Sequence, residues 1–180
     1  MPRDFTIEML PPSAADDHAA VSALAGLVND VYEAAEKGLW QDGAARTSPE
    51  DIAGLVRAGE IAVATRDGAV AGCVRVQRLG DGAGEFGLLA AARDRQGTGI
   101  GRELIRFAER RARDLGCAQM QLELLVPREW KHPSKEFLHE WYLRLGYAVT
   151  DTAPVETLEP GLAPLLATPC QFAIYRKPLG

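Results

Sequence analysis

The sequence has few cysteines, and none of them is spaced as in a zinc site. Three cysteines occur among the 180 residues, Cys73, Cys117 and Cys170, and no two of them form a CxxC pair. We therefore expect no metal cofactor. An odd number of widely spaced cysteines without a disulfide framework is typical of a reducing compartment, which favours a cytoplasmic protein.

Long apolar runs and an excess of positive charge are also missing. No stretch reaches the roughly 20 apolar residues of a membrane-spanning helix. The N-terminal MPRDFTIEML lacks the apolar core of a signal peptide. The formal net charge is -5, so the whole chain has no electrostatic attraction for nucleic acid. We expect a soluble protein that binds neither membranes nor nucleic acid.

Internal repeats, low-complexity linkers and convincing domain boundaries are absent from the sequence as well. A chain of this length suits one domain with a full core. We therefore predict a single domain over residues 1–180.

Short strands and amphipathic helices alternate along the chain. The pattern predicts helices at 14–37, 49–58, 100–115 and 134–146, and strands at 5–10, 60–66, 69–78, 85–91, 119–126, 147–150 and 171–177. Ser13 is the expected cap of the first helix, and Asp67-Gly68 is a strong signal for a hairpin. The class that follows is α+β, with helices packed on a mainly antiparallel sheet.

A glycine-rich stretch, RQGTGIGRELI (Arg95–Ile105), stands at the start of the third predicted helix. Its glycines, Gly97, Gly99 and Gly101, let backbone amides approach a ligand without interference from a Cβ atom. The start of the helix adds unpaired N–H groups and the positive end of the helix dipole. Together they indicate a site for an anion, most often phosphate. The alternative is a turn that only joins a strand to a helix.

Two nucleotide-binding motifs are excluded at this stretch. A P-loop requires GxxxxGK followed by Ser or Thr, but Gly101 is followed by Arg102 and Glu103. A Rossmann fingerprint requires GxGxxG within a βαβ unit. Here Leu104 occupies the third glycine position after Gly99 and Gly101, and hairpins precede the stretch.

The pattern Gln96-x-x-Gly99-x-Gly101 resembles the signature of the GNAT superfamily of acetyltransferases. WYLRLGY (Trp141–Tyr147) resembles the second marker of that family, an aromatic-Tyr pair before a Leu-Gly-aromatic turn. The order of the predicted elements is also similar, and the resemblance covers nearly the whole chain. It implies a mixed, mainly antiparallel twisted sheet of about seven strands, with helices on both faces and a splayed central pair of strands.

The resemblance implies acetyl-CoA as co-substrate, bound where the strands at 85–92 and 119–126 splay apart. Backbone groups of Leu89, Ala90 and Ala91 would hold the pantetheine arm. The pyrophosphate would be held by Gln96, Gly97, Thr98, Gly99, Ile100 and Gly101. Many relatives carry an Asn that contacts the pantetheine arm where this chain has Lys135, and the lysine could instead meet a phosphate.

The chemistry implied by the resemblance is N-acetylation by direct attack of a primary amine on the thioester. An alkyl amine with a pKa of about 10 must first lose a proton, and the leaving thiolate benefits from gaining one. Glu85 matches a glutamate of many members, as base or substrate contact, and the alternative is an ordinary strand carboxylate. Tyr142 matches the tyrosine that often protonates the sulfur, and the alternative is core packing. Glu123 could line the cleft, although a solvated strand residue is the favoured interpretation.

The acceptor site is expected at the first helix and at two loops, with Tyr32, Trp40 and Trp130 as candidate walls. The acceptor is a small-molecule amine, a peptide N-terminus or a lysine side chain. The proline-rich connection from Asp151 to Pro169 either covers this site or mediates a homodimer.

Two alternatives to acetyl transfer stay open. The same glycine-rich binding site for the pyrophosphate, here called the cradle, would serve a non-catalytic acyl-CoA-binding module that acts as a sensor or docking domain. The fold would equally accept another acyl donor, because the volume beyond the thioester depends on packing.

Overall fold

Residues 4–180, which the computed structural model describes, form a seven-stranded sheet with helices. The strands are β1 (Thr6–Met9), β2 (Ile61–Arg66), β3 (Ala69–Arg78), β4 (Gly84–Ala91), β5 (Gln119–Pro127), β6 (Ala148–Pro154) and β7 (Cys170–Pro178). The α-helices are α1 (His18–Ala35), α2 (Pro49–Arg57), α3 (Ile100–Asp114), α4 (Pro133–Arg144) and α5 (Val155–Leu158). Short 3-10 turns lie at Pro12–Asp16, Arg93–Arg95 and Ala163–Leu165.

The order of strands in the sheet is β1-β2-β3-β4-β5-β7-β6. The pair β4–β5 is parallel, and the other neighbours are antiparallel. The predicted α+β class and mainly antiparallel sheet are therefore confirmed. The β2–β3 turn has positive φ at both Asp67 (52°) and Gly68 (77°), as a two-residue type I′ hairpin requires.

Helices cover both faces of the sheet, as the family resemblance implied. On one face, α3 and α4 pack against alternate strand residues, with Leu104, Val74 and Leu122 in one apolar cluster. On the opposite face, α1 and α2 pack against the intervening residues, with Val28 and Val63 in a second cluster. Because strand side chains alternate between faces, each side chain of β4 and β5 points either toward α3 and α4 or toward α1 and α2.

The first helix begins four residues later than predicted. Asp17, not Ser13, is its cap, and the Asp17 carboxylate accepts a hydrogen bond from the backbone N–H of Ala20 at 3.1 Å. Ser13 lies in the 3-10 turn Pro12–Asp16. Ser and Asp are comparably good caps, so the sequence offered two starts and packing selected the second.

The strand predicted at 147–150 is longer than expected and takes up part of the proline-rich connection. β6 continues to Pro154 because it pairs with β7 as far as Gln171, with an irregularity between Val149 and Asp151. Pairing with a neighbouring strand decides such an extension more than local propensity does.

Replacing Gly84 with alanine is expected to destabilise the fold by about 2 kcal/mol, because the added methyl group would overpack the interior. An ideal Cβ at Gly84 would lie 2.7 Å from the Cβ of Ala112 and 3.1 Å from the sulfur of Met120. Gly87→Ala in the same strand is the matched control, since its Cβ would meet nothing within 4 Å. Urea unfolding of both variants is the measurement, and equal losses would contradict this account.

Candidate active site

β4 and β5 are paired at their first residues and then separate. The parallel register joins Gly84 to Met120 and Glu85 to Gln121, and it ends there in the described chain. Beyond these pairs, the backbone of β4 that faces β5 is left without a strand partner. The predicted splayed pair is therefore present, and it opens a gap in the middle of the sheet.

A bulge in β4 lies at this gap. Leu88 has a φ of 47°, and Leu88 and Leu89 together lie opposite Val74, where the β3–β4 register shifts. Phe86 and Leu89 therefore both face α3 and α4, while Leu88 and Ala90 face α1 and α2. Bulges redirect side chains in this way. The backbone predicted to hold the pantetheine arm, Leu89–Ala91, begins at the second residue of this bulge.

The glycine-rich stretch forms the entry to α3. Gly97 and Gly99 have φ values of 78° and 86°, and Gly99 is the N-cap residue in a left-handed conformation. Gly101 is small for a different reason, because a Cβ there would lie 3.4 Å from the Trp141 ring. No side chain of residues 4–180 caps this helix start. The N–H groups of its first turn therefore have no capping acceptor.

Tyr142 on α4 is 5% exposed and packs among aromatic rings. Its ring centroid lies 5.3–6.2 Å from those of Phe86, Trp141, Tyr147 and Tyr175. Burial raises the pKa of Tyr142 well above its usual range, and the neighbouring Tyr32 and Tyr175 add to the shift. The hydroxyl of Tyr142 is therefore protonated at neutral pH.

Tyr32 reaches the same gap from the opposite face of the sheet. It belongs to α1, yet it is near enough to Tyr142 on α4 to affect the pKa of that hydroxyl. The pKa of Tyr32 is itself raised by burial, whereas Arg46 and the backbone amide of Leu89 act in the opposite direction. Groups from both faces therefore meet where β4 and β5 separate.

Glu85 is held rigidly at the closed end of the gap. One of its carboxylate oxygens accepts a hydrogen bond from Gln77 Nε2 at 3.0 Å, and the other accepts one from Gln121 Nε2 at 2.8 Å. Gln121 Oε1 in turn accepts from Arg176 Nε at 3.1 Å. Both oxygens of Glu85 thus accept a hydrogen bond from a neighbouring glutamine, and its role as base or substrate contact stays a prediction.

Glu123 lies two residues beyond Gln121 on β5, on the same face as Glu85. Burial raises the pKa of Glu123 to about 7, Glu85 and Glu159 add to the shift, and Arg46 opposes it. A carboxylate that titrates near neutral pH suits a general base. Alternation along β5 predicted its face correctly, but its raised pKa also depends on the charge of Glu159, a distant residue that the sequence pattern does not reveal.

A cavity of about 500 Å³ lies beside α1 and the loop that follows it. Tyr32 and Trp40, two of the predicted walls, line this cavity together with Arg46. The guanidinium carbon of Arg46 is 5.3 Å from the ring centroid of Tyr32 and 5.5 Å from that of Trp40, at cation–π distance. The charge of Arg46 also lowers the pKa of Glu123, which couples this cavity electrostatically to the β5 side of the gap.

Trp130, the third predicted wall, lines a different cavity of about 530 Å³ between β5 and α4, together with His132 and His139. Its indole Nε1 donates a hydrogen bond to Thr168 Oγ1 at 3.1 Å. The structure therefore brings two of the three predicted walls together and places the third elsewhere.

Lys135 forms a buried ion pair. Its Nζ lies 2.6 Å from Glu36 Oε2, and Glu36 Oε1 accepts a hydrogen bond from Trp40 Nε1 at 3.2 Å. The pair joins the start of α4 to the end of α1 and fixes the Trp40 ring at the cavity. Because Nζ is engaged here, the phosphate contact considered for Lys135 stays a prediction.

The proline-rich connection packs on the acceptor side of the molecule. The backbone N–H of Gln41 donates to Leu165 O at 2.8 Å, and that of Ala167 donates to Leu39 O at 2.8 Å. Its Glu159 contributes to the raised pKa of Glu123. These contacts favour the covering role, and the homodimer stays a prediction.

The described part of the chain has neither a cluster of metal-ligating side chains nor a helix suited to a membrane. Residues 4–180 contain no group of three or more His, Cys, Asp or Glu residues that could hold a metal ion. Within the same residues, no helix has both the length and the apolar character needed to cross a membrane.

Comparison with known families assigns the chain to a class. A sequence model of the acetyltransferase (GNAT) domain matches residues 57–149, which is more than half of the chain and contains the gap, the bulge and the glycine-rich stretch. The protein belongs to the GNAT family of acetyltransferases, as the resemblance implied. No curated protein matches its sequence significantly.

Solved structures share its fold at low sequence identity. The N-acetylglutamate synthase from Neisseria gonorrhoeae, complexed with coenzyme A and N-acetyl-glutamate, is 17% identical with a TM-score of 0.66. All of this chain is covered, but the chain spans only 36% of that protein. An aminoglycoside 6'-N-acetyltransferase complexed with coenzyme A is 13% identical, with 97% of each chain covered and a TM-score of 0.68. The IAA acetyltransferase from Bacillus cereus is 18% identical, with a TM-score of 0.63 over 97% of this chain and 99% of that one.

Proposed function

We propose that the protein transfers an acetyl group from acetyl-CoA to a small primary amine, which attacks the thioester directly. The observation that carries this proposal is the gap between β4 and β5. A protonated Tyr142 reaches it from one face of the sheet, and Glu123, whose pKa is about 7, lies on the other face. A proton donor and a proton acceptor thus flank the place where the acyl donor and the amine would meet.

The chain fits the coenzyme in two places. The uncapped first turn of α3, reached through Gly97 and Gly99, presents N–H groups suited to a diphosphate. The β4 backbone at Leu89–Ala91, unpaired on its β5 side, suits the amide groups of a pantetheine arm. Acetyl-CoA supplies the activated acetyl group at this site.

Glu123 is the residue that removes a proton from the amine. Amines with a pKa of about 10 are protonated at neutral pH and cannot attack until they lose a proton. A carboxylate with a pKa of about 7 is ionised in a large share of molecules at that pH and is a far better base than an ordinary glutamate. Glu85, fixed by two glutamines, raises the pKa of Glu123 through its charge.

Tyr142 is the residue that donates a proton to the departing sulfur. Burial disfavours the phenolate, so the hydroxyl keeps its proton until the sulfur departs. Burial also disfavours a free thiolate in the same surroundings, so the departing sulfur gains from being protonated. The amine releases two protons overall. Glu123 takes the first, and the second restores the Tyr142 hydroxyl after the sulfur has been protonated.

Acetyl-CoA is expected to raise the midpoint of thermal unfolding, because a ligand that binds the native state alone stabilises it by about 2.7 kcal/mol at 100 times its Kd. Coenzyme A should act similarly, and ATP should not. Absence of any rise at millimolar acetyl-CoA would overturn the proposed cradle. Propionyl- and succinyl-CoA, titrated in parallel, test the preference for the acyl group.

The same samples separate an enzyme from a binding module. Release of free thiol from acetyl-CoA in the presence of a panel of primary amines supports the transferase. Stabilisation by acetyl-CoA without thiol release from any amine would support a non-catalytic acyl-CoA-binding module instead.

A further inference from the structure

Arg46 is fixed in the cavity by its neighbours. Its guanidinium lies over the rings of Tyr32 and Trp40. The adjacent Thr47 is clamped to α1 by Asn29, whose side chain accepts from the Thr47 N–H at 3.0 Å and donates to the Thr47 carbonyl at 3.0 Å. An arginine in a loop is thereby held in a defined position at the wall of the cavity.

Arg46 nevertheless lacks an anionic partner. Its Nε is buried without a hydrogen-bond partner, and its guanidinium forms no ion pair with residues 4–180 within 4.0 Å. Glu36 lines the same cavity, but its two oxygens are engaged by Lys135 and Trp40. Guanidinium groups match carboxylates through two parallel hydrogen bonds. The planar group of Arg46 is available for such a pair with a ligand.

We propose that Arg46 binds a carboxylate of the amine acceptor, so that the substrate is a small amino acid with a single carboxylate. This inference rests on the proposed acetyl transfer and names the class of its acceptor. Arg46 lies near enough to affect the pKa of Glu123. A zwitterion bound in the cavity would place its carboxylate at Arg46, and its amino group would be the one that Glu123 deprotonates in the proposed transfer.

The surrounding charges favour a monoanion over a phosphate. Arg46 and the exposed Lys37 are the cations that line the cavity on this side, and the buried Glu36 is already paired with Lys135. Glu33 and Asp42, both exposed, also line the cavity. A dianionic phosphate, or a second carboxylate on the substrate, would meet these groups with repulsion. Amino acids with neutral side chains are therefore the preferred members of the class.

Matched acceptors test the proposal in the wild-type protein. Thiol release from acetyl-CoA is measured with neutral amino acids, with their amides and with the corresponding decarboxylated amines. A bidentate charged contact predicts a kcat/KM about 100-fold higher for the amino acid than for either analogue. Equal rates for the three compounds would overturn the proposal while leaving the acetyl transfer itself intact.

The variant Arg46→Gln tests whether Arg46 causes the preference for the amino acid over the decarboxylated amine. It should lower kcat/KM for the amino acid, mainly through KM, about 100-fold more than kcat/KM for the decarboxylated amine, because any change in the pKa of Glu123 affects both acceptors alike. Arg46→Lys should keep part of the preference, because a lysine offers charge without the planar fork. Arg57→Gln, a variant of an exposed arginine on α2, is the matched control and should behave as wild type. An equal loss for both acceptors in Arg46→Gln would contradict the assignment.

Binding provides a second readout in case the tested amines are not turned over. Calorimetric titration of the same three compounds into the complex with coenzyme A reports affinity alone. Tighter binding of the amino acid, lost in Arg46→Gln, supports the proposal, whereas equal or absent binding overturns it. Failure of the protein to bind acetyl-CoA at all would instead overturn the proposed function.

Discussion

Replacing Glu123 with glutamine is expected to lower kcat about 1,000-fold, within the usual range for loss of a general base. Glutamine has the same shape as glutamate and cannot accept a proton from the amine. Burial and the charges of Glu85 and Glu159 raise the pKa of Glu123 to about 7. The measurement is the initial rate of thiol release at saturating acetyl-CoA and amine, at pH 8.

The pH profile distinguishes this role from a structural one. A base must be ionised, so wild-type activity should fall as the pH decreases through about 7, and Glu123→Gln should lack this acid limb. Glu85→Gln is the matched control, and its acid limb should persist at a lower pH, because the charge that raises the pKa of Glu123 is removed. A limb near pH 7 that survives in Glu123→Gln would contradict the assignment.

Loss of stability does not explain the expected effect of Glu123→Gln. The pKa of this carboxyl rises from 4.5 to about 7 on folding. The folded state therefore becomes less stable as the pH increases through this interval, where the unfolded chain releases its proton first. Glutamine removes that penalty. The variant should unfold at pH 8 no earlier than the wild type, which thermal unfolding will check.

Replacing Tyr142 with phenylalanine is expected to lower kcat about 100-fold with little change in KM for acetyl-CoA, because the proton for the leaving sulfur is lost. The ring and its contacts with Phe86, Trp141 and Tyr147 are kept. Thiol release under saturating conditions is the measurement. An active Tyr142→Phe would mean that the residue serves the core alone.

Tyr175→Phe is the control for Tyr142→Phe. The Tyr175 ring packs 5.7 Å from that of Tyr142, and its hydroxyl is hydrogen-bonded to His139 Nδ1 at 2.8 Å. Removing this hydroxyl changes the same aromatic cluster without removing the proposed proton donor. We expect its kcat to stay within about threefold of wild type, since a modest repacking effect is all that remains.

The buried pair of Lys135 and Glu36 shows how the site depends on distant segments. The two residues come from α4 and α1, and together with Trp40 they form one hydrogen-bonded unit. Buried ion pairs contribute little net stability but are costly to break. Their consequence here is positional, because they fix the Trp40 ring against which Arg46 lies.

The sequence by itself determined the features that depend on neighbouring residues. The glycines before α3, the Asp67-Gly68 hairpin and the alternation along β5 are local patterns, and backbone sterics convert them directly into structure. The sequence marker around Tyr142 is also a local pattern, and it indicated the family. These patterns were sufficient for the fold class and for the expected position of the coenzyme.

Only the tertiary structure decided which polar groups share an environment. Alternation gave the face of Glu123, but its pKa depends on burial and on Glu85 and Glu159, which lie far from it in the sequence. No local pattern in the sequence indicated a role for Arg46. Its place in the cavity is defined by the rings of Tyr32 and Trp40, which the fold brings against its guanidinium. Periodicity records which way a side chain points, whereas desolvation and charge are set by the segments that fold over it.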